Sequence, residues 1–210
     1  MEDWRLLHYR LMKDFLTFLN MRSNKYILKG GTSLLFCYNS TRFSENIELD
    51  GFDEDIFEIV DLFVLKFRYK YFRIKYRIVL NTKVLKSIVI YYGGKKPLSI
   101  NVSYKKTIVD DQEYCIKNEI CVYRLSSLLT MKLVKFNSNE NIRDLYDIVF
   151  IYNNYKDLLN PYILFILRDA VAFKGLEQFD YLIRSQTDEL IDNSKLWKGF
   201  LSMYYDLDLV

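Results

Sequence analysis

The 210-residue chain carries one histidine, three cysteines, two prolines and two alanines. A lone histidine excludes a multi-histidine zinc centre and leaves a Ser-His-Asp or Cys-His enzyme nothing but His8 as its base. His8 is therefore expected to pack on the first helix. Cys37, Cys115 and Cys121 form no C-x-x-C pair and are odd in number, so reduced thiols are expected rather than a disulfide framework. No apolar run reaches about 18 residues, and the stretch Met1 to Arg5 lacks the basic start and apolar core of a secretion signal. The expectation is a soluble, cytoplasmic chain with no membrane partner.

Half of the residues are hydrophobic and 17% are aromatic, enough to fill a sizeable core and to exclude disorder. The length suits one large domain or two small ones. A net charge of +3 is too small to argue for a polyanionic partner, so that question rests on how the charge is distributed. Residues 4 to 20 place Trp4, Leu7, Leu11, Phe15, Leu16 and Leu19 at helical spacing, with Asp3 able to cap the start. Helical spacing returns at residues 54 to 65, short β-rich runs fill residues 84 to 123, and Gly93 to Pro97 reads as a hairpin turn. From about Arg124 the pattern is helical to the end, with helices expected near 125–136, 140–153, 155–173, 175–185 and 187–205. The fold class is thus α+β, with an α/β domain over 1–123 and a helical domain over 124–210 packed against it.

The chain is organised around Lys29 to Asp50. Gly30 and Gly31 can bring backbone close to a ligand, and Thr32 or Ser33 can cap the helix that Leu34, Leu35, Phe36 and Tyr38 imply. Bare amides at a helix start favour an anion. Beyond Arg42 and Ser44 the residues alternate as a strand on which Asn46, Glu48 and Asp50 share one face, with Glu45 on the opposite face, in phase with Ile47 and Leu49. Oxygen ligands on such a face can hold Mg²⁺ bridged to phosphates.

This run resembles the AbiEii/AbiGii toxin family of the nucleotidyltransferase superfamily, whose members read K-G-G-T, a helix, then an R-x-S-x-D-x-D strand. Lys29, Gly30, Gly31, Thr32, Arg42 and Ser44 match, while Asn46 and Glu48 replace the two aspartates. The later family pattern, a helix lysine and then R-D-x-x-D, is similar to Lys132, Arg143, Asp144 and Asp147, with Asn139 where a basic residue often stands. The resemblance spans about residues 25 to 152. It implies a nucleotidyltransferase-like mixed sheet flanked by helices and followed by a helical bundle. It further implies an enzyme that moves a nucleotide from an NTP to an RNA, tRNA included, or to a protein, as the toxin of a toxin–antitoxin or phage-defence pair.

On that resemblance Lys29, Gly30, Gly31, Thr32, Ser33, Arg42, Ser44, Arg143 and Asp144 are expected to bind nucleotide. Glu48, Asn46, Lys132 and Asp147 are expected to be catalytic, and Mg²⁺ or Mn²⁺ to be held by Glu48, Asn46, Asn101 and Asp50. Asn101 stands where the superfamily places a third carboxylate. With amides at two of the three positions, the alternative is a degenerate nucleotide- or RNA-binding module that acts through a protein partner. The basic series Arg68, Lys70, Arg73, Lys75 and Arg77, with Tyr69, Tyr71, Tyr76, Lys83 and Lys86, reads either as a solvated strand face or as an RNA track, and its phase slip between Lys70 and Arg73 implies a bulge, a turn or a helix giving way to a strand. A cognate antitoxin is the implied protein partner.

Overall fold

The computed structural model describes residues 4–209. Their elements run α1 (Trp4–Arg22), β1 (Tyr26–Lys29), α2 (Gly30–Cys37), β2 (Asn46–Gly51), α3 (Ile56–Phe67), β3 (Lys75–Asn81), β4 (Leu85–Tyr91), β5 (Leu98–Ser103), β6 (Tyr114–Lys117), β7 (Ile120–Tyr123), α4 (Leu125–Asn139), α5 (Ile142–Tyr155), α6 (Pro161–Ser185) and α7 (Asn193–Asp206). They divide into two compact units, 1–123 and 124–210. The fold is the α+β class expected, a mixed sheet flanked by helices and followed by C-terminal helices. No helix of the described residues is long and apolar enough to cross a membrane.

In the first unit the strands form one mixed sheet in the order β3-β4-β5-β2-β1-β7-β6. Side chains alternate between its faces, and the face of Leu28, Ile47, Leu49, Ile88, Ile90, Ile100 and Val102 is buried throughout. Helices α1 and α3 pack on one another through Phe15, Phe18 and Phe63, the Phe15 and Phe63 rings meeting edge to face at 5.2 Å. Each such fully buried side chain contributes roughly 1.5–3 kcal/mol. Asp3, expected to cap α1, lies outside the described residues. His8 packs inside α1 as expected: it is fully buried, Nε2 donates to the Glu45 carbonyl at 2.8 Å, and Nδ1 accepts from the Tyr92 hydroxyl at 2.6 Å. Burial lowers its pKa despite the carbonyl bond and the nearby Glu45 charge.

The basic run divides between elements. Helix α3 continues to Phe67, a turn follows, and only Lys75 and Arg77 lie on β3. Asp55 caps α3, its carboxylate accepting from the Phe57 amide at 2.9 Å, and the Lys86 ammonium beside it counters burial and lowers the Asp55 pKa.

The second unit contains α4 to α7. Asn141, Asn160 and Asp192 cap the last three, each accepting from a backbone amide of the first turn. Two expected boundaries shift. The helix expected from 155 begins at Pro161, after a short 3-10 turn at 156–158, because Asn160 and Pro161 supply the stronger start. The last helix begins at Asn193 rather than 187, again directly after its capping residue, Asp192. Helix α6 is broken at Gly175, whose φ of 74° is non-helical, close to the expected junction of two helices.

Candidate functional site

The two glycines after β1 serve the strand that follows them. Gly30 takes a φ of 76°, and a Cβ there would lie 3.0 Å from Glu48 Oε2. A Cβ on Gly31 would collide with the Arg42 guanidinium and lie 3.3 Å from Ser44 Oγ. The halves of the motif thus interlock: one glycine admits Glu48, the other admits Arg42. Thr32 and Ser33 do not cap α2 as expected. Their hydroxyls turn inward, Thr32 to Ser44 at 2.8 Å and to the Asn46 carbonyl, Ser33 to the Gly30 carbonyl at 2.6 Å. The N-cap is Lys29, with no side-chain cap bond, so what α2 offers a ligand is backbone amide.

Strand register sets the rest of the site. Lys29 lies opposite Glu48, Glu48 opposite Asn101, Asn101 opposite Ser87, and Ser87 opposite Leu80. This row crosses five strands on one face. Asn46, Ser99, Val89 and Arg77 form the next row, and Asp50, Ser103 and Leu85 the row on the other side. A groove of about 330 Å³ runs along this face, lined by Lys29, Glu48, Asn101 and Ser87 at one end and by Leu80 and Leu85 at the other.

Asp50, expected among metal ligands, is engaged elsewhere. It is buried, accepts from the Lys29 ammonium, and accepts from the Tyr123 hydroxyl at 2.7 Å. Burial and this carboxylate push the Tyr123 pKa up. Asp50 therefore fixes Lys29 beside Glu48. Asn101 Oδ1 accepts from Ser87 Oγ at 2.7 Å, and Asn46 is exposed. The Glu48 carboxylate has no hydrogen bond or ion pair among the described residues, and no three His, Cys, Asp or Glu side chains there gather as a metal site. The donor set is one carboxylate with two amides, the lower limit for Mg²⁺, which takes one or two carboxylates and completes its shell with phosphate and water.

In the second unit Lys132 is buried, with Asp144 and Asp147 each 2.7 Å from its ammonium. Burial alone would lower its pKa, but the charges of Asp147 and Asp144 outweigh that and raise it. Arg143 pairs with Asp188 at 2.5 Å. The structure thus groups three of the four later-motif residues around one buried ammonium and turns the fourth aside.

Within the proposed RNA track, Tyr71 is buried and donates to Asp14, Tyr76 donates to Asp61, and Lys86 pairs with Asp55. These three are structural. Sequence reading missed Tyr123 and Ser87, which hold Asp50 and Asn101. Nothing local marks them, because each partner arrives from a different strand.

A family model described as "Nucleotidyl transferase AbiEii toxin, Type IV TA system" matches residues 18–209. No curated protein matches the chain. Among solved structures the fold is similar to JHP933 from Helicobacter pylori, at 20% identity and a TM-score of 0.77 over 99% of this chain and 95% of that one. It is also similar to MenT4, the nucleotidyltransferase toxin Rv2826c from Mycobacterium tuberculosis H37Rv, at 14% identity and a TM-score of 0.51 over 94% and 84%. At these identities the likeness is one of fold.

Proposed function

The chain belongs to the AbiEii family of nucleotidyl transferase toxins of type IV toxin–antitoxin systems, and we propose that it transfers a nucleotide from an NTP to an RNA acceptor, tRNA included. Family membership implies a cognate antitoxin. The observation that carries the reading is that the Glu48 carboxylate, without a hydrogen bond or ion pair among the described residues, lies against the backbone of Gly30, at the start of a helix whose first amides can take phosphate.

In this reading the amides of α2 and the Lys29 ammonium hold the triphosphate, and Arg42 and Ser44 brace the turn from behind Gly31. An acceptor hydroxyl gives up its proton to solvent as its oxygen attacks the α-phosphorus, the bond to the bridging oxygen breaks, and pyrophosphate leaves. Glu48 would hold Mg²⁺ or Mn²⁺ together with phosphate oxygens, Asn46 and Asn101 being neutral neighbours. When bound, such an ion neutralises charge developing on the phosphates. Lys132, Asp144 and Asp147 lock α4 to α5, and Arg143 ties α5 to the loop before α7.

The amides on both sides of Glu48 favour one second reading, a module that binds nucleotide without turning it over. The experiment is to incubate the protein with ATP, GTP, CTP or UTP labelled in the α-phosphate, with and without Mg²⁺ or Mn²⁺, using total RNA as acceptor. Metal-dependent label on RNA is expected. Binding without transfer would favour the second reading, and absence of NTP binding would overturn both.

A further inference from the structure

We propose that β3 and β4, at the edge of the sheet that carries Glu48, seat the single-stranded end of the acceptor RNA, with Lys75 and Arg77 on its phosphates and Leu80 and Leu85 against its terminal base. This rests on the reading of the protein as an RNA-modifying transferase and adds where the acceptor lies.

Register sorts the basic residues into two groups. Lys70 is paired with Asp14 at 2.5 Å, Arg68 lies over the Tyr69 ring at 4.6 Å, and Arg73 over Phe72 at 5.0 Å, all in the turn after α3. Lys75 and Arg77 are different. Arg77 lies opposite Val89, and through Val89 and Ser99 it shares a row with Asn46. Lys75 lies opposite Tyr91, its ammonium 5.9 Å from the ring centroid. Both are exposed and on the face of Glu48. No Asp or Glu occurs in β3, β4 or β5, so this half of the face offers a polyanion attraction without an opposing carboxylate.

The groove completes the match. Leu80 and Leu85 are 41% and 37% exposed, large for leucines on a sheet, and form its apolar end. Glu48 lies three strand spacings from Leu80, about 14 Å. A terminal nucleotide with its base on the leucines has its sugar near Ser87 and Asn101, whose hydroxyl and amide can bond to it, and its terminal hydroxyl directed toward Glu48. Only an unpaired end presents a free base face for such contact, which is why the occupant is single-stranded.

The test measures binding of a fluorescent single-stranded oligoribonucleotide to the intact protein by anisotropy, NTP binding, and label transfer to RNA. Two charge-neutralised variants are compared, Lys75→Gln with Arg77→Gln, and Arg68→Gln with Arg73→Gln. The β3 pair is expected to lose about tenfold or more in RNA affinity, with a salt slope lower by about 1.4 and NTP binding unchanged. The turn pair should stay within about twofold. Leu80→Ser, which leaves the charge intact, should weaken RNA binding without changing the salt slope. If wild type labels RNA and the β3 pair binds and labels it equally well, or both pairs lose affinity alike, the proposed seat is wrong while the transferase reading stands. If wild type labels only protein, the RNA reading fails and the seat with it.

Discussion

The open sheet face around Glu48 and the buried cluster around Lys132 are built from the same materials, one lysine and two carboxylates each. In the cluster, Lys132 takes both Asp144 and Asp147, and all three are withdrawn from water. On the sheet the lysine takes only one carboxylate. Lys29 and Tyr123 saturate the buried Asp50, and Glu48 remains at the groove. Charges with the right spacing therefore go either to structure or to chemistry, and the division follows burial and partner count. A carboxylate that has its cation and its hydroxyl inside the fold is an anchor, whereas one left without either can meet a ligand.

This contrast can be broken at several points. The largest effect is expected from Lys132→Met, which removes the buried ammonium shared by two buried carboxylates and leaves Asp144 the exposed Lys135 at 3.9 Å: a loss of about 3–5 kcal/mol in the helical unit, read by chemical denaturation. A stability change within about 0.5 kcal/mol would mean that the cluster is solvated and that the contrast is false. Next comes Tyr123→Phe. Removing one charge-assisted bond to Asp50 should cost about 1.5–3 kcal/mol and, by loosening Lys29, lower transfer activity. A variant that is destabilised yet fully active would separate Asp50 from the site.

The smallest effect is a pH dependence. Because burial lowers the folded-state pKa of His8, the unfolded chain takes up a proton near the ordinary value of 6.5 before the folded chain does. Stability is then flat above that pH and falls below it, with a slope of at most about 1.4 kcal/mol per pH unit for this one group. His8→Gln should flatten that slope. Tyr92, Glu45 and Lys96 surround the imidazole and remain in the variant.

Much of the fold was legible because its elements carry their own signals. Helical spacing marks α1 and α3, and alternation with a glycine turn marks β4 and β5. The site was legible only in part. Gly30, Gly31, Arg42 and Glu48 lie in one stretch, and their types foretell a turn, a close approach and a carboxylate. What no local pattern could reveal is partnership across strands. Asp50 reads like a ligand until Tyr123 arrives from β7, whereas the phase slip between Lys70 and Arg73 already marks the break at which α3, ending at Phe67, leaves only Lys75 and Arg77 on the strand.

The most direct test of the account is Glu48→Gln, a change that keeps size and removes the charge. We expect its denaturation midpoint to match wild type, because Glu48 has no partner to lose among the described residues. Label transfer from NTP should fall by about a hundredfold or more, since charge positioning carries most phosphoryl-transfer catalysis. Undiminished transfer, or a large loss of stability, would contradict the claim that this carboxylate was left out of the fold for chemistry.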